Sequence, residues 1–219
     1  MFASIAARYD VNNRLHTLWR DQAWRRAAVR MADVRAGERA LDVACGTGDV
    51  ARLLRAAGAN VVGADFCEAM LRIARARSAD IEYLHADAHA LPMPDEAFDV
   101  VTIAFGLRNL ADPRASLREF HRVLRPGGRL VVLEFCRATG PGGTMLRWFT
   151  QAIMPRTAGA ISGQPVAYRY LHASVQSFLH AETLTATLRD AGFANTTTRT
   201  MGLGNVAAIR GERDQNSNE

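Results

Sequence analysis

Ala40-Leu-Asp-Val-Ala-Cys-Gly-Thr-Gly-Asp49 is the stretch that decides the fold. A short apolar run, Ala40 to Ala44, is followed at once by Cys45-Gly-Thr-Gly48. Asp49 then opens a segment in which Val50, Leu53 and Leu54 recur at helical spacing. The order reads as buried strand, tight loop, helix. Glycine at 46 and 48 allows the sharp turn and lets the backbone approach a ligand at the start of a helix.

The alternation continues outward. Asn60–Ala64, Ile81–His85, Phe98–Ala104 and Arg129–Phe135 read as strands. Glu68–Arg77 reads as a helix with Met70, Leu71 and Ile73 inward. Asp112 with Pro113 caps a further helix that carries Leu117, Phe120 and Leu124 and ends at Pro126-Gly-Gly128. Strands and helices joined by short connections predict a parallel sheet covered on both faces. A last helix, Glu182–Asp190, is closed by Ala191-Gly192. Two strands, 193–201 and 205–210, flank Gly202-Leu-Gly204 and are expected to pair antiparallel at the end of the sheet.

Three parts lie outside this core. Residues 1–36 read as a helical arm or lid, with helix over about 2–34 and Gly37 ending it. Residues 37–210 form the main domain, in which 137–177 break the alternation and read as an insertion over the substrate side. The polar segment 211–219 reads as a disordered tail.

Composition bounds the function. The chain has 219 residues, enough for one domain with a full core, and 48% are apolar. No apolar run approaches the roughly 20 residues of a spanning helix. The apolar part of the N-terminus is too short for a secretory signal, so the cytoplasm is the expected compartment. Cys45, Cys67 and Cys136 are too few and too scattered for a disulfide framework or a zinc cluster. Cys45 is a reactive thiol or a small residue allowing close packing; the second is the commoner behaviour. All positive charge comes from arginine, with a formal net charge of +5. No basic run is interleaved with aromatics, so nucleic acid is not an expected partner. Nothing in the sequence decides between a monomer and a homo-oligomer.

The glycine loop fits a nucleotide, and two kinds compete. Asp65 ends the second strand 17 residues beyond Gly48, where a carboxylate can accept from ribose hydroxyls of either NAD or S-adenosyl-L-methionine (SAM). Three features favour SAM. Asp49 at the helix start would repel a pyrophosphate and suits a ligand with a sulfonium and no phosphate. Asp87, after the third strand, can read an adenine edge. The chain ends in a hairpin, not in a second mononucleotide half. Each aspartate alone is as well explained as a strand-end turn residue; together they converge on one crevice.

These residues resemble the ubiquinone/menaquinone biosynthesis C-methyltransferases, the UbiE/COQ5 group. The likeness runs through Phe2-Ala-Ser-Ile-Ala-Ala-Arg-Tyr-Asp10, Asp42-Val-Ala-Cys-Gly-Thr-Gly-Asp49, Ala90-Leu-Pro-Met-Pro94, Phe105-Gly-Leu-Arg-Asn109, Arg122-Val-Leu-Arg-Pro-Gly-Gly-Arg129, Leu133-Glu-Phe135 and Tyr168-Arg-Tyr-Leu171. The resemblance implies a Rossmann-like class I methyltransferase, with a mostly parallel seven-stranded sheet, a C-terminal antiparallel hairpin and helical lid segments. It implies methyl transfer from SAM to a ring carbon of a reduced polyprenyl benzo- or naphthoquinone. The expected cofactor residues are Asp42, Ala44, Gly46, Thr47, Gly48, Asp65, Phe66, Asp87, Ala88 and Ala104; no metal site is expected. The chain departs from the group in several places. Ala104 stands where a serine is usual and Cys45 where glycine is frequent. The segment Asn12–Trp19 is short, the acid before Tyr168 is missing, and His172 and Leu179 replace prolines.

A ring carbon becomes nucleophilic when its neighbouring hydroxyl loses a proton. Arg108, after the fourth strand, is the expected stabiliser of the phenolate, its alternative being a structural salt bridge. A water or a histidine, with His16 and His172 the ones worth testing, is the expected proton acceptor. Asn109 orients a quinol oxygen or caps its loop. Tyr168 and Tyr170 line the ring pocket or simply pack, and Tyr9 folds the arm over SAM. Met145–Met154, with Arg147, faces a prenyl tail, touches the inner-membrane surface peripherally, or is a core helix. Two other enzymes compete: a methyltransferase of another small phenol and an NAD-dependent reductase. A non-catalytic SAM-binding assembly subunit is the alternative outside catalysis.

Overall fold

The computed structural model describes residues 17, 19–137 and 179–215. Strands β1 (Arg39–Val43), β2 (Asn60–Asp65), β3 (Glu82–His85), β4 (Phe98–Ala104), β5 (Leu124–Phe135), β6 (Phe193–Met201) and β7 (Val206–Arg213) form one sheet in the order β3-β2-β1-β4-β5-β7-β6. β1 to β5 run parallel, and β7 pairs antiparallel with β5 and β6. The closing hairpin is as expected, its later strand inserted inside its earlier one.

Successive side chains of a strand point to opposite faces, and two apolar layers result. On one face Leu41, Val43, Val101 and Ile103 pack with Leu117 and Phe120 of helix α4 (Pro113–Val123) and Leu184 and Leu188 of α5 (Ala181–Asp190). On the other, Ala40, Val100, Val131 and Leu133 meet Trp24 and Ala28 of α1 (Arg20–Ala32), Val50 and Leu54 of α2 (Asp49–Ala56), and Leu71 and Ala74 of α3 (Glu68–Arg77). Parallel strands buried on both sides carry near-continuous apolar runs for this reason.

The local reading of α4 holds at its start. The Asp112 carboxylate accepts from the N–H groups of Arg114 and Ala115 at 2.9 and 3.0 Å, with Pro113 in the first turn. Its end needs correction. The helix stops at Val123, Leu124 already pairs with Phe98, and the next pair is Val100 with Arg129. Residues 125–128 therefore bulge out of the strand, with Gly127 left-handed at φ 75°.

Two further expectations are corrected. The arm is not one helix from residue 2 onward. Trp19, in a left-handed conformation, precedes α1, and Asp33, also left-handed, ends it four residues before Gly37. Residues 2–16 lie outside the described residues. The segment from 211 is not a tail at its start, because β7 runs to Arg213. The buried Arg213 donates through Nη1 to the carbonyls of His121, Arg122 and Leu124 and pairs through Nη2 with Glu96 at 2.8 Å. Carbonyls at a helix C-terminus lack partners within the helix. An arginine that satisfies them pins the last strand, which polarity alone does not reveal.

Tyr83 on β3 lies under the glycine loop, and Gly63 on β2 makes room for it. A Cβ at Gly63 would come within 2.5 Å of Tyr83 Cδ1 and 3.1 Å of Cys45 Sγ. Gly63→Ala is expected to cost about 1–3 kcal/mol, the usual price of overpacking a core. Chemical denaturation checks this, and adding Tyr83→Leu should recover most of the loss.

Candidate active site

Strand order reverses direction between β1 and β4, and in open α/β sheets ligands bind outside the carboxyl ends of the strands at such a point. Ala44 after β1 has φ 51° and Phe105 after β4 has φ 59°. Left-handed backbone at non-glycine residues is costly and gathers at functional sites. The two turns touch: a Cβ on Gly106 would come within 2.7 Å of Ala44 Cβ. Glycine is required there for the crevice floor to close.

Asp65 sits at the tip of β2 and ties the glycine loop to it. Its Oδ2 accepts from Gly46 N–H at 2.8 Å and its Oδ1 from Cys67 N–H at 2.8 Å. Burial raises its pKa, and the two N–H donors oppose the rise. Gly46, at φ 56°, has no described residue within 4 Å of its Cβ position. Gly48 (φ 82°) faces inward, where a Cβ would meet the Tyr83 hydroxyl at 2.5 Å. Thr47 is buried, and its carbonyl accepts from Arg52 at 3.5 Å. Phe66 is 71% exposed beside Asp65 and stacks on His85 with centroids 5.3 Å apart.

Asp87, after β3, is exposed. Hydrogen bonds from the His89 N–H and ring hold its carboxyl below the usual range. Ala88 is buried in the core and Ala104 half-buried at the end of β4. Asp42 is buried on β1. Its Oδ1 accepts from the Thr102 hydroxyl at 2.8 Å, and its Oδ2 has no hydrogen-bond partner among the described residues. Burial pushes its pKa from 3.8 up to about 7, against the Thr102 bond and the Arg25 charge. Cys45 is buried and its thiol is pushed well above the ordinary value by burial and by Asp42 and Asp65. It is a packing residue here.

The role expected of Asp49 is corrected. Its carboxylate is buried, pairs closely with Arg52, accepts from Gln22 Nε2 at 2.9 Å and lies 3.9 Å from Arg25 Nε. A charge matched in this way does not select against pyrophosphate; it ties α2 to α1.

On the acceptor side, the turn Leu107–Asn109 follows β4. Arg108 is in the structural salt bridge that was its alternative. Its guanidinium pairs closely with the fully buried Glu134, donates to Phe105 O at 2.9 Å and lies 5.4 Å from the Phe135 ring centroid. Asn109 Nδ2 donates to the same carbonyl at 3.3 Å, the capping alternative. Tyr168, Tyr170, Tyr9, His16, His172 and the stretch 145–154 lie outside the described residues. Glu134, Thr102, Tyr83, Phe105 and Arg25 were not singled out from the sequence. The Leu133-Glu-Phe135 and Phe105-Gly-Leu-Arg-Asn109 segments contain Glu134 and Phe105 without marking either.

A mixed-charge cavity of about 500 Å³ lies at the opposite, amino end of the strands, lined by Glu38, Asp99, Arg125, Arg129 and Glu212 among others. Its arginines 125 and 129 are paired with Asp99 and Glu38, and it is remote from the switch point. Among the described residues no cluster suits a metal ion.

A glycine turn at Gly46, a carboxylate at the next strand tip and an exposed aromatic beside it fit a nucleoside carrying hydroxyls and a positive charge. Fold and site together define a class I SAM-dependent methyltransferase. The profile of the ubiE/COQ5 methyltransferase family matches residues 1–213, and the chain belongs to that family. It is 52% identical over 201 residues to a demethylmenaquinone methyltransferase of Thermus thermophilus, covering 89% of this chain and 91% of that one. It is 41% identical over 222 residues to the ubiquinone/menaquinone biosynthesis C-methyltransferase UbiE of Pseudomonas fluorescens, covering 96% and 86%. A chain in the complex of the Haloferax volcanii Trm112 methyltransferase activator with the putative methyltransferase superposes with TM-score 0.69 at 21% identity, covering 98% of each. The [4+2]-cyclase SpnF superposes at 0.66, also at 21% identity, over 88% of this chain and 80% of that one. At that identity the likeness concerns the fold alone.

The buried Asp42 sets a pH dependence. Its folded pKa lies above its unfolded value, so the folded state binds more protons between about pH 4 and 7 and stability falls as pH rises through that window. Asp42→Asn is expected to flatten this slope and to gain more stability at pH 8 than at pH 5. Thermal unfolding across pH checks it; a slope unchanged in the variant would remove Asp42 as its source.

Proposed function

We propose that this chain transfers the methyl group of SAM to a ring carbon of a reduced polyprenyl naphthoquinol. The observation that carries the cofactor half is the crevice where Gly46, Asp65 and Phe66 converge at neighbouring strand tips. Demethylmenaquinone methyltransferases span 38 to 52% identity to this chain and UbiE relatives 40 to 41%; the 52% and 47% members of the first group support naphthoquinol as the acceptor.

SAM supplies an electrophilic methyl on a sulfonium. The chain's residues do the rest. Asp65 accepts from the ribose hydroxyls while its bonds to the loop hold it in place, and the exposed Phe66 ring covers the adenine. Ala44, Gly46, Thr47 and Gly48 form the floor, with Asp42 beneath them. Asp87 and Ala88 flank the base, and Ala104 borders the methyl side. Arg108, oriented by Glu134, stabilises the developing phenolate, and Asn109 and Tyr168 orient the ring. A guanidinium held in advance needs no reorganisation as charge develops. Placement of the ring in line with the methyl supplies much of the rate.

A lipophilic acceptor suits the rim of the crevice. The exposed large apolar side chains among the described residues are Trp19, Phe66 and Leu203. Trp19 precedes α1 near the start of α2, Phe66 follows β2, and Leu203 joins β6 to β7 beside the end of β5. All three lie at the carboxyl-end rim. This supports peripheral contact of that rim with the membrane that holds the quinol. No described helix is long and apolar enough to cross a membrane.

Purified protein given labelled SAM and a demethylmenaquinol analogue is expected to yield ring-methylated product by mass spectrometry. Arg108→Met, made together with Glu134→Gln so that no buried carboxylate is stranded, should lower turnover about 100-fold or more with S-adenosylhomocysteine affinity kept. Wild-type turnover in that variant would remove Arg108 from the chemistry.

A further inference from the structure

Arg25, on α1, has its guanidinium over the Phe105 ring, 5.1 Å from the centroid. Phe105 packs against Phe135 at 4.7 Å, and Arg108 covers Phe135. Trp24, the residue before Arg25, meets the edge of Phe135 at 6.2 Å. Two cations thus flank two tilted, packed rings, one cation from α1 and the other from the turn Leu107–Asn109. The same Arg25 faces the cofactor side. Its Nε is buried without a hydrogen-bond partner among the described residues, 3.7 Å from Asp21 and 3.9 Å from Asp49. Asp49 starts α2 directly after the glycine loop.

We infer that Arg25 is a positioning residue for methyl transfer, holding the glycine loop through Asp49 and the Arg108 turn through Phe105. β1 and β4 pair directly and Gly106 meets Ala44, so the sheet sets the strand ends; Arg25 braces the loop and the turn beyond them. A guanidinium suits the task better than an ammonium. It is planar, stacks on aromatic faces and keeps its charge when buried. The inference rests on the cofactor site proposed above.

The surroundings make charge and stacking separable. Asp21 and Asp49 are the carboxylates paired with Arg25, and Arg52 shares Asp49. Asp42 on β1 also feels the Arg25 charge, as well as that of Asp65 on β2. Lysine at 25 keeps a charge for the carboxylates and loses the planar stack. Methionine loses both.

The test is calorimetry with S-adenosylhomocysteine and steady-state kinetics with the quinol analogue, on the wild type, Arg25→Lys and Arg25→Met. Arg25→Lys is expected to bind S-adenosylhomocysteine within about threefold of wild type while kcat falls about tenfold. Arg25→Met is expected to lose about tenfold in both. Wild-type kcat in a folded Arg25→Lys protein overturns the inference. So does a loss in Arg25→Lys that falls equally on affinity and kcat and tracks a lower folded fraction, since that marks a residue of stability only. If the wild type itself gives no heat with S-adenosylhomocysteine, the cofactor site fails, a result distinct from either.

Discussion

The site depends on one carboxylate making two backbone bonds. Asp65 ends β2, yet its two oxygens hold the N–H of Gly46, after β1, and of Cys67, before α3. The bonds join the glycine loop to the neighbouring strand tip and orient the carboxylate before any ligand arrives. Charge-assisted bonds of this kind are stronger than neutral ones. They also meet part of the cost of burying Asp65.

Beneath this surface the sheet holds its polar groups in reserve. Asp42 lies on a core strand with one oxygen bonded to Thr102 and the other without a hydrogen-bond partner among the described residues. Such a group opposes stability and persists where the surroundings fix it. Tyr83 is comparable. Its buried hydroxyl lacks a hydrogen-bond partner among the described residues, and burial pushes its pKa to about 12. It fills the space under Gly48 and Gly63, so the absence of side chains at those glycines lets the loop rest on a ring. The charges of α1 and α2 are then joined through Asp49, which packs α1 against the helix that follows the glycine loop.

Much of this was legible in the sequence. Apolar periodicity located Glu68–Arg77 and Phe98–Ala104 to the residue, because an amphipathic helix and a strand buried on both faces leave unambiguous patterns. Phe193–Met201, an edge strand exposed along most of its length, was bounded by Gly192 and Gly202 instead. Asp112-Pro113 announced its helix for a local reason, a side chain bonding its own backbone. Long-range pairings were not legible. Arg213 reads as a polar terminal residue until the carbonyls it caps, some 90 positions earlier, are in view. Arg108 reads either as a phenolate stabiliser or as half of a salt bridge, and its partner stays unnamed until Glu134, 26 positions away, is found beside it. Asp49 reads as a charge facing a ligand until α1 folds back onto it. Spacing along the chain reports periodicity and caps; it does not report which distant charge completes a pair.

The most direct measurement is a crystal structure of the protein soaked with S-adenosylhomocysteine. Density is expected at the β1–β4 switch point, with the ribose hydroxyls about 3 Å from Asp65, the adenine against Phe66, and the sulfur directed toward the Phe105–Asn109 turn. A nucleoside bound elsewhere, or one at the switch point that leaves Asp65 without a ribose contact, would contradict the proposed cofactor site.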